Sequence, residues 1–152
     1  MLKAKIAALA ITGTLMFGVA SAMAGEYGSA DEATAMLDKA IAHYNEVGAD
    51  QAFKDFTAKG GDWQDRDLYV FCFEKNGTTL AHGANEKLLG RDLSQLKDAD
   101  GKAFVGELLS TGYAGGGWVD YRWPNPVSKK VEQKSSIVKQ AGDYVCGVGI
   151  YK

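Results

Sequence analysis

A strand that is stopped by two prolines constrains this chain more than any other feature of its sequence. Residues 118–123 alternate in the manner of a β-strand. The bulky residues that share one face of this strand are Val119, Tyr121 and Trp123. Pro124 and Pro126 cannot donate hydrogen bonds to a sheet, so the chain has to turn there. The next alternating segment, residues 131–139, is therefore predicted to return beside the first as an antiparallel hairpin.

The aromatic face of this hairpin lies within reach of a lysine on the returning strand, Lys134. Aromatic rings exclude water, and a cation beside a phenol or indole donor fixes the orientation of a small anion. The hairpin therefore predicts a binding site for such an anion. The alternative is that Tyr121 and Trp123 only pack in a core, and that Arg122 and Lys134 are solvated charges.

The first 24 residues are predicted to be a secretory signal peptide. Residues 1–5 are short and basic, residues 6–19 are largely apolar, and Ala22-Met-Ala24 fits the small-x-small rule for cleavage. The apolar run is short for a transmembrane helix, although an uncleaved anchor is the alternative. Cleavage after Ala24 leaves residues 25–152, the length of one domain, in the periplasm or outside the cell.

The charges and the composition favour a soluble globular domain. The chain has 17 basic and 19 acidic residues, and 46% of its residues are hydrophobic. No basic patch argues for a nucleic-acid partner.

The rest of the pattern predicts an α+β domain with one antiparallel sheet of five strands. Asn76-Gly77 lies between two strand-like runs, which is a strong hairpin signal. Residues 62–67 are interpreted as a polar loop that carries Trp63. The predicted elements, in chain order, are a helix from Ala30 to a stop at Gly48, a helix at 49–56, strands at 68–73 and 78–82, a helix at 102–112, and strands at 118–123, 131–139 and 143–151. Gly147 and Gly149 share one face of the last strand, where a helix or a ligand is expected to approach closely.

In order and spacing these segments resemble a single Cache domain of the second type, over about residues 30–152. The motifs that carry the resemblance are Leu68-Tyr-Val-Phe71, Leu80-Ala-His-Gly83 with Asn85, Gly90-x-x-Leu93, Asp98-x-x-Gly101-Lys-x-Phe104, Tyr121-Arg-Trp-Pro124, Lys134-Ser-Ser136 and Gly147-Val-Gly-Ile-Tyr151. The resemblance implies a PAS-like five-stranded sheet with a long N-terminal helix and a helical crossover. It also implies a pocket on the inner face of the sheet for a small organic molecule, often a short carboxylate.

Carried onto this sequence, the resemblance implies a set of ligand-binding candidates. They are Tyr69, Phe71, His82, Tyr121, Trp123 and Lys134. Arg122 is a weaker candidate because it points to the opposite face from Tyr121 and Trp123. Family members commonly carry a tyrosine where this chain has Ile137, and we expect this difference to remove a hydrogen-bond donor from the pocket.

The expected function is that of a stand-alone exported sensor domain for signal transduction or chemotaxis, without cofactor or metal. Family members usually lie between two membrane helices, and no second long apolar segment follows here. The domain is therefore expected to present its ligand to a membrane sensor kinase, chemoreceptor or transporter. The alternatives are a partner-interaction domain without a ligand and, less favoured, a hydrolytic enzyme in which His82 acts with Asp98 or Asp100. The sequence has none of the usual catalytic motifs, and no His or Cys spacing typical of a metal site.

The two cysteines, Cys72 and Cys146, fall in the first and last predicted strands. An exported protein meets an oxidising compartment, and these strands are neighbours in PAS-like sheets. A disulfide is therefore expected if the geometry allows it. Two buried free thiols are the alternative.

Overall fold

A computed structural model describes residues 25–152. The predicted signal peptide lies outside the described residues. The helices are α1 (Ala30–Val47), α2 (Ala49–Thr57) and α3 (Phe104–Tyr113), and a 3₁₀ turn spans Glu86–Leu88. The strands are β1 (Gln64–Asp65), β2 (Leu68–Phe73), β3 (Thr79–His82), β4 (Gly117–Pro124), β5 (Val131–Ala141) and β6 (Tyr144–Tyr151). The helix predicted from residue 102 begins two residues later, at Phe104.

Helix α1 begins at a capping box. The Ser29 hydroxyl accepts from the backbone N–H of Glu32, and the Glu32 carboxylate accepts from the backbone N–H of Ser29. Gly48, with a φ of 81°, ends the helix in a conformation that favours glycine. These are the bounds that the sequence predicts.

The five predicted strands lie side by side in the order β3–β2–β6–β5–β4, and every neighbouring pair is antiparallel. The two-residue strand β1 pairs with the start of β2 as an addition to this sheet. The predicted α+β class and PAS-like sheet are thereby confirmed. None of the helices within residues 25–152 is long and apolar enough to cross a membrane.

The sheet has two differently built faces. We call the face that packs against α1 and α2 the helix face, and the face that packs against α3 the pocket face. Buried residues on the helix side include Ala33, Leu37, Ala40, Ala52, Phe56, Val70, Cys72, Ile137, Cys146 and Val148. Buried residues on the pocket side include Tyr69, Phe71, Phe73, Phe104, Val105, Leu108, Val119, Tyr121, Val138 and Val145.

Cys72 and Cys146 lie directly opposite each other on β2 and β6. Their Cα atoms are 4.1 Å apart, and the two sulfur atoms form a disulfide. Both residues are buried on the helix face. The bridge therefore ties the two central strands together away from the pocket face.

The space over the two glycines of β6 is occupied by side chains of the pocket face. A Cβ atom at Gly147 would lie 2.5 Å from a ring carbon of Phe71, and one at Gly149 would lie 2.2 Å from Cε of Lys134. A side chain at either position would therefore force the contacted side chain to shift. The absence of a side chain at Gly149 is what lets Lys134 extend over β6.

Candidate ligand-binding site

The candidate site is centred on Lys134, in the middle of the pocket face. The strand register places Lys134 opposite Tyr121 on β4 and opposite Tyr151 on β6. Residues paired across neighbouring strands lie on the same face of a sheet. The two tyrosines therefore flank the lysine.

Lys134 is buried to an unusual degree for a lysine, with 1% of its surface exposed. Its Nζ donates to the hydroxyl of Tyr69 over 2.7 Å and lies 4.2 Å from the centre of the Tyr69 ring. Burial lowers the pKa of Lys134 to about 7, because a buried ammonium has lost its hydration; the negative charge of Asp67 opposes this shift.

A chain of hydroxyl groups continues from Lys134. The hydroxyl of Tyr69 lies 3.4 Å from that of Tyr151, which donates to the carbonyl of Pro124 over 2.7 Å. Because the Tyr151 hydroxyl already donates its hydrogen to the carbonyl of Pro124, the Tyr69 hydroxyl donates to Tyr151 and accepts from Lys134. Burial raises the pKa of both phenols, so they remain neutral. Lys134 thus uses one of its three N–H donors on a neutral group, and within residues 25–152 its Nζ has no other hydrogen-bond partner.

Tyr121 and Ser136 form a second polar pair on the pocket face. The hydroxyl of Tyr121 lies 2.9 Å from that of Ser136 on the neighbouring strand, and both residues are buried. Phe104 of α3 stacks flat on the Tyr121 ring, with the ring centres 4.5 Å apart. This stacking fixes the plane of the tyrosine between the sheet and the helix.

His82, at the end of β3, is buried beside Tyr69, with ring centres 4.8 Å apart. Its Nδ1 accepts the backbone N–H of Asn85 over 3.0 Å, so the neutral ring carries its proton on Nε2. Burial and then the nearby charge of Lys134 lower the pKa of His82 to about 3. At neutral pH this side chain is therefore a neutral donor.

His82 and Asp98 do not form the pair that was considered for a hydrolytic enzyme. The Asp98 carboxylate accepts three backbone N–H groups, those of Asp100, Lys102 and Arg122. These bonds hold the turn at 98–102 against the free edge of β4. Asp98 therefore has a structural role in place of the one considered for an enzyme.

Six of the seven predicted site residues line one small cavity under α3. The full lining is Tyr69, Phe71, Phe73, His82, Leu93, Phe104, Leu108, Tyr121, Trp123 and Lys134. The volume open to the centre of a water-sized sphere is ≈ 10 Å³. This is about the room that one water molecule needs.

A larger surface cleft adjoins the inner cavity. It has a volume of ≈ 250 Å³ and is lined by His82, Ala84, Asn85, Trp123, Pro124, Asn125, Pro126 and Lys129. His82 and Trp123 line both spaces, so these two side chains separate the cavity from the cleft.

A larger cleft lies elsewhere, between α2 and β3. Its volume is ≈ 580 Å³, and its charged residues, which include Lys54, Lys59 and Glu86, are exposed. Charges in solvent gain little from binding an ion, whereas a buried amine gains much. The chemistry therefore points to the inner cavity.

Arg122 and Ile137 both lie outside the inner cavity. Arg122 points away from the cavity, as the alternation predicts, and its guanidinium lies 3.9 Å from the Asp100 carboxylate. Ile137 is buried on the helix face, not in the pocket. The expectation that it removes a donor from the pocket was wrong, because residues three apart in a strand, such as Lys134 and Ile137, point to opposite faces.

Asp67 was not among the predicted site residues, yet it is a buried charge close to the site. It was assigned to a polar loop, but 0% of its surface is exposed. Its Oδ1 accepts the backbone N–H of Gly28 over 2.7 Å, and its buried Oδ2 has no partner within the described part of the chain. Burial raises the pKa of Asp67. Its burial depends on the lead-in to α1, which no local sequence pattern shows.

The comparison with known families decides what kind of domain holds this site. Residues 20–152 match the family described as Single Cache domain 2. The protein belongs to this family. Cache domains of this family are sensory ligand-binding domains and not a family of enzymes.

Individual proteins to which this Cache domain is similar include a sensor kinase and a chemotaxis protein. It is 31% identical over 88 residues to the sensor histidine kinase MctS of Rhizobium johnstonii, which covers 57% of this chain and 19% of that kinase. The chain thus spans about a fifth of that relative. A solved structure described as a periplasmic sensor domain of a chemotaxis protein is 30% identical, with a TM-score of 0.61 and coverage of 80% of this chain and 88% of that chain.

A further solved Cache structure concerns ligand recognition. Its description is the structural basis for carboxylic acid recognition by a Cache chemosensory domain. It is 28% identical to this chain, with a TM-score of 0.62, and the match covers 78% of this chain and 84% of that chain. The Cache domain described here is therefore homologous to sensor domains of chemoreceptors and histidine kinases.

Proposed function

We propose that this Cache domain reversibly binds a small organic acid in the inner cavity, with the carboxylate of the ligand paired to Lys134. The observation that carries the proposal is a buried amine whose only described hydrogen-bond partner is the neutral Tyr69. A buried ammonium without a counter-ion in contact is costly, and a bound carboxylate supplies that counter-ion. The homologous Cache domain that recognises carboxylic acids supports the same ligand class.

The other lining residues have separate roles in this proposal. The neutral His82 donates from Nε2, and the hydroxyl of Tyr121 and the indole of Trp123 direct further hydrogen bonds. Tyr69 and Phe71 form the apolar wall, with their rings 4.2 and 5.4 Å from the Lys134 ammonium. A ligand held in this way is recognised by one charge and by its shape.

Binding in this site involves movement of the lining. A space of ≈ 10 Å³ does not hold an organic acid, whereas the adjoining cleft has ≈ 250 Å³. His82 and Trp123 stand between the two, and Trp123 is only half-buried. In this proposal the acid enters from the cleft as the Trp123 ring swings aside, and α3 shifts to accommodate it.

The proposal includes the setting in which the domain acts. After export and removal of residues 1–24, the domain works in the periplasm or outside the cell. It presents a ligand-dependent surface to a membrane sensor kinase, a chemoreceptor or a transporter. Mass spectrometry of the exported protein should find Gly25 at the N-terminus, and retention of residues 1–5 would argue against this setting.

Calorimetry on point variants tests the binding site. Acetate, propionate, lactate and succinate are first screened by thermal shift, since a ligand that binds only the folded state raises its melting temperature. Lys134→Met should weaken the best of these acids roughly tenfold to a hundredfold, because a hydrogen bond to a charged group is worth about 1.5–3 kcal/mol.

A matched control is available on the same strand. Lys139 points to the helix side and forms an ion pair with Asp38 at the surface, so Lys139→Met should bind the acid as the wild-type protein does. If Lys134→Met also binds like wild type while Trp123→Ala loses binding, the ligand is held by apolar contact and the acid proposal fails. No thermal shift with any acid would favour a partner-interaction domain without a ligand.

A further inference from the structure

Tyr151 on β6 connects the buried amine with the rim of the surface cleft. The Lys134 ammonium donates to the hydroxyl of Tyr69 over 2.7 Å, and the Tyr69 hydroxyl lies 3.4 Å from that of Tyr151. The Tyr151 hydroxyl in turn donates to the carbonyl of Pro124 over 2.7 Å. Pro124 is an exposed residue that lines the cleft. A row of polar groups therefore runs from the interior of the protein to its surface.

The hydrogen bond between Tyr151 and Pro124 joins two strands that are not neighbours. Tyr151 belongs to β6 and Pro124 to the end of β4, and β5 lies between these strands. Tyr151 is 6% exposed, and it lines neither the inner cavity nor the cleft. It therefore acts on a ligand in either space through the groups that it contacts, not by touching the ligand.

We call residues 123–130 the hairpin tip, because they form the end of β4 and the turn that leads to β5. Asn125 organises this turn: its backbone N–H donates to the carbonyl of Lys130 over 2.8 Å, and its side chain donates to the Glu132 carboxylate over 2.8 Å. Within residues 25–152, the Pro124 carbonyl is the one backbone group of the hairpin tip with a hydrogen bond outside the β4–β5 hairpin. Tyr151 thus ties the hairpin tip to the centre of the sheet.

Trp123, in the hairpin tip, stands where an acid has to pass. It is half-buried and lines both the inner cavity and the cleft. Its ring meets that of Phe104 edge-on, with the ring centres 5.4 Å apart, and the His82 ring lies 6.3 Å away. Pro124 follows Trp123 directly. The bond from Tyr151 therefore fixes the backbone about which the Trp123 ring would swing.

We propose that Tyr151 is a positioning residue of the acid site, whose hydrogen bond to Pro124 holds the hairpin tip in place and slows the passage of an acid past Trp123. This inference rests on the proposed function. The bond exists while the hairpin tip is in place, whether the cavity is empty or filled, and it breaks when the tip moves. It therefore raises the barrier to entry and the barrier to exit equally, and leaves the dissociation constant unchanged.

Tyr151→Phe isolates the hydroxyl from the ring, because phenylalanine keeps the buried aromatic side chain and removes only the donor. The net contribution of one neutral hydrogen bond is modest, so the rates of acid entry and exit should both rise roughly twofold to tenfold. The dissociation constant should stay within about twofold of wild type, since both rates change together.

Tyr113→Phe is the matched control. The Tyr113 hydroxyl also donates to a backbone carbonyl, that of Asp143, over 2.6 Å. Tyr113 lines neither the inner cavity nor the cleft, so its loss removes the same kind of bond at a distance from the hairpin tip. The control should exchange the acid at the rates of the wild-type protein.

The experiment is fluorine NMR on protein labelled with fluorotryptophan, titrated with acetate or propionate, whichever binds the wild-type protein more tightly. The chain has 3 tryptophans, and the signal of Trp123 is the one that is missing from Trp123→Phe. Exchange between the free and bound signals gives the exit rate. The titration gives the dissociation constant, and the entry rate follows from the two.

Faster entry and exit in Tyr151→Phe at an unchanged dissociation constant, with wild-type rates in Tyr113→Phe, would support the inference. Wild-type rates in Tyr151→Phe would overturn it while leaving the acid site intact. A faster exit with an unchanged entry would overturn it as well, because Tyr151 would then act on the bound acid through Tyr69. If the wild-type protein binds neither acid, the proposed function fails and the inference fails with it.

Hydrogen exchange on the ligand-free proteins gives a second measurement that does not depend on an acid. The backbone amides of Asn125 and Lys129, which are bonded within the hairpin tip, should exchange with solvent faster in Tyr151→Phe than in wild type. They should exchange at the wild-type rate in Tyr113→Phe. Equal exchange in all three proteins would show that Tyr151 does not hold the hairpin tip, and would overturn the inference.

Discussion

The two faces of the sheet are built from the same strands but for opposite purposes. On the helix face, α1 and α2 cover aliphatic and small side chains and one disulfide. On the pocket face, α3 covers aromatic rings among which a lysine, a histidine and a serine are buried. The first face removes apolar surface from water with few polar groups, which is the main source of folding free energy. Burial of polar groups that are not fully hydrogen-bonded makes the second face less stabilising.

Stability and ligand recognition therefore depend on opposite faces of the same sheet. A single strand such as β5 serves both, because Ile137 points to one side and Lys134 to the other. Substitutions on the helix face should therefore change the free energy of unfolding without changing affinity. Substitutions on the pocket face should do the reverse, or even stabilise the protein.

The largest expected effect is that of removing the disulfide on the helix face. The double variant Cys72→Ala, Cys146→Ala opens a loop with a sequence separation of 74 residues. We expect the free energy of unfolding to fall by about 4 kcal/mol in a urea titration, because the unfolded chain is no longer cross-linked. Affinity for an acid should stay the same. Thiol titration of the denatured, unreduced wild-type protein should find no reactive thiol, and two per chain would contradict the bridge.

The next effect comes from Leu37, which is 0% exposed between α1 and the helix face. Leu37→Ala leaves a cavity there and should lower the free energy of unfolding by about 3 kcal/mol. Acid affinity should remain within twofold of wild type. A tenfold loss of affinity in a variant that is still folded would show that the two faces are coupled. It would contradict the separation of stability and recognition between them. The exposed neighbour Ala35 offers a control, because Ala35→Ser should alter stability by less than about 0.5 kcal/mol.

The smallest effect has the opposite sign and depends on pH. The pKa of Lys134 is about 7 in the folded protein and 10.5 ordinarily, so between these values the unfolded chain holds a proton that the folded chain has lost. The ligand-free wild-type protein therefore gains stability from this group as the pH rises from 7 to 10.5. Lys134→Met has no amine to titrate, so its own stability does not change in this way. The free energy of unfolding of Lys134→Met minus that of wild type should therefore be lower at pH 9 than at pH 6 by roughly 2 kcal/mol. Urea titrations at both values measure it, and a difference that does not change with pH would mean that Lys134 is hydrated.

Local patterns were sufficient for most of the fold. Alternation along the predicted strand at 68–73 puts Tyr69 and Phe71 on one face and Cys72 on the other, which agrees with the structure. The predicted start at Ala30 and stop at Gly48 bounded α1 correctly. These signals are strong because they depend only on backbone geometry and on neighbours in the chain.

The parts of the site that sequence reasoning missed depend on distant contacts. Phe104 and Leu108 lie in a helix that the sequence predicts, but only the packing of α3 across the sheet makes them the roof of the cavity. Asp67 looked like a loop residue, because its burial comes from Gly28 and the lead-in, 39 positions away. The error at Ile137 was avoidable, since counting along the strand from Lys134 already assigns it to the other face.

Gly149 has a consequence for how variation in this protein should be interpreted. Any side chain at this position would occupy the space in which the Lys134 stem lies. A mutational scan would therefore record Gly149→Ala as a loss of binding, although residue 149 has no side chain with which to contact a ligand. In an alignment of relatives, positions 149 and 134 should vary together: where a bulkier residue stands at 149, a lysine that crosses the last strand should be missing.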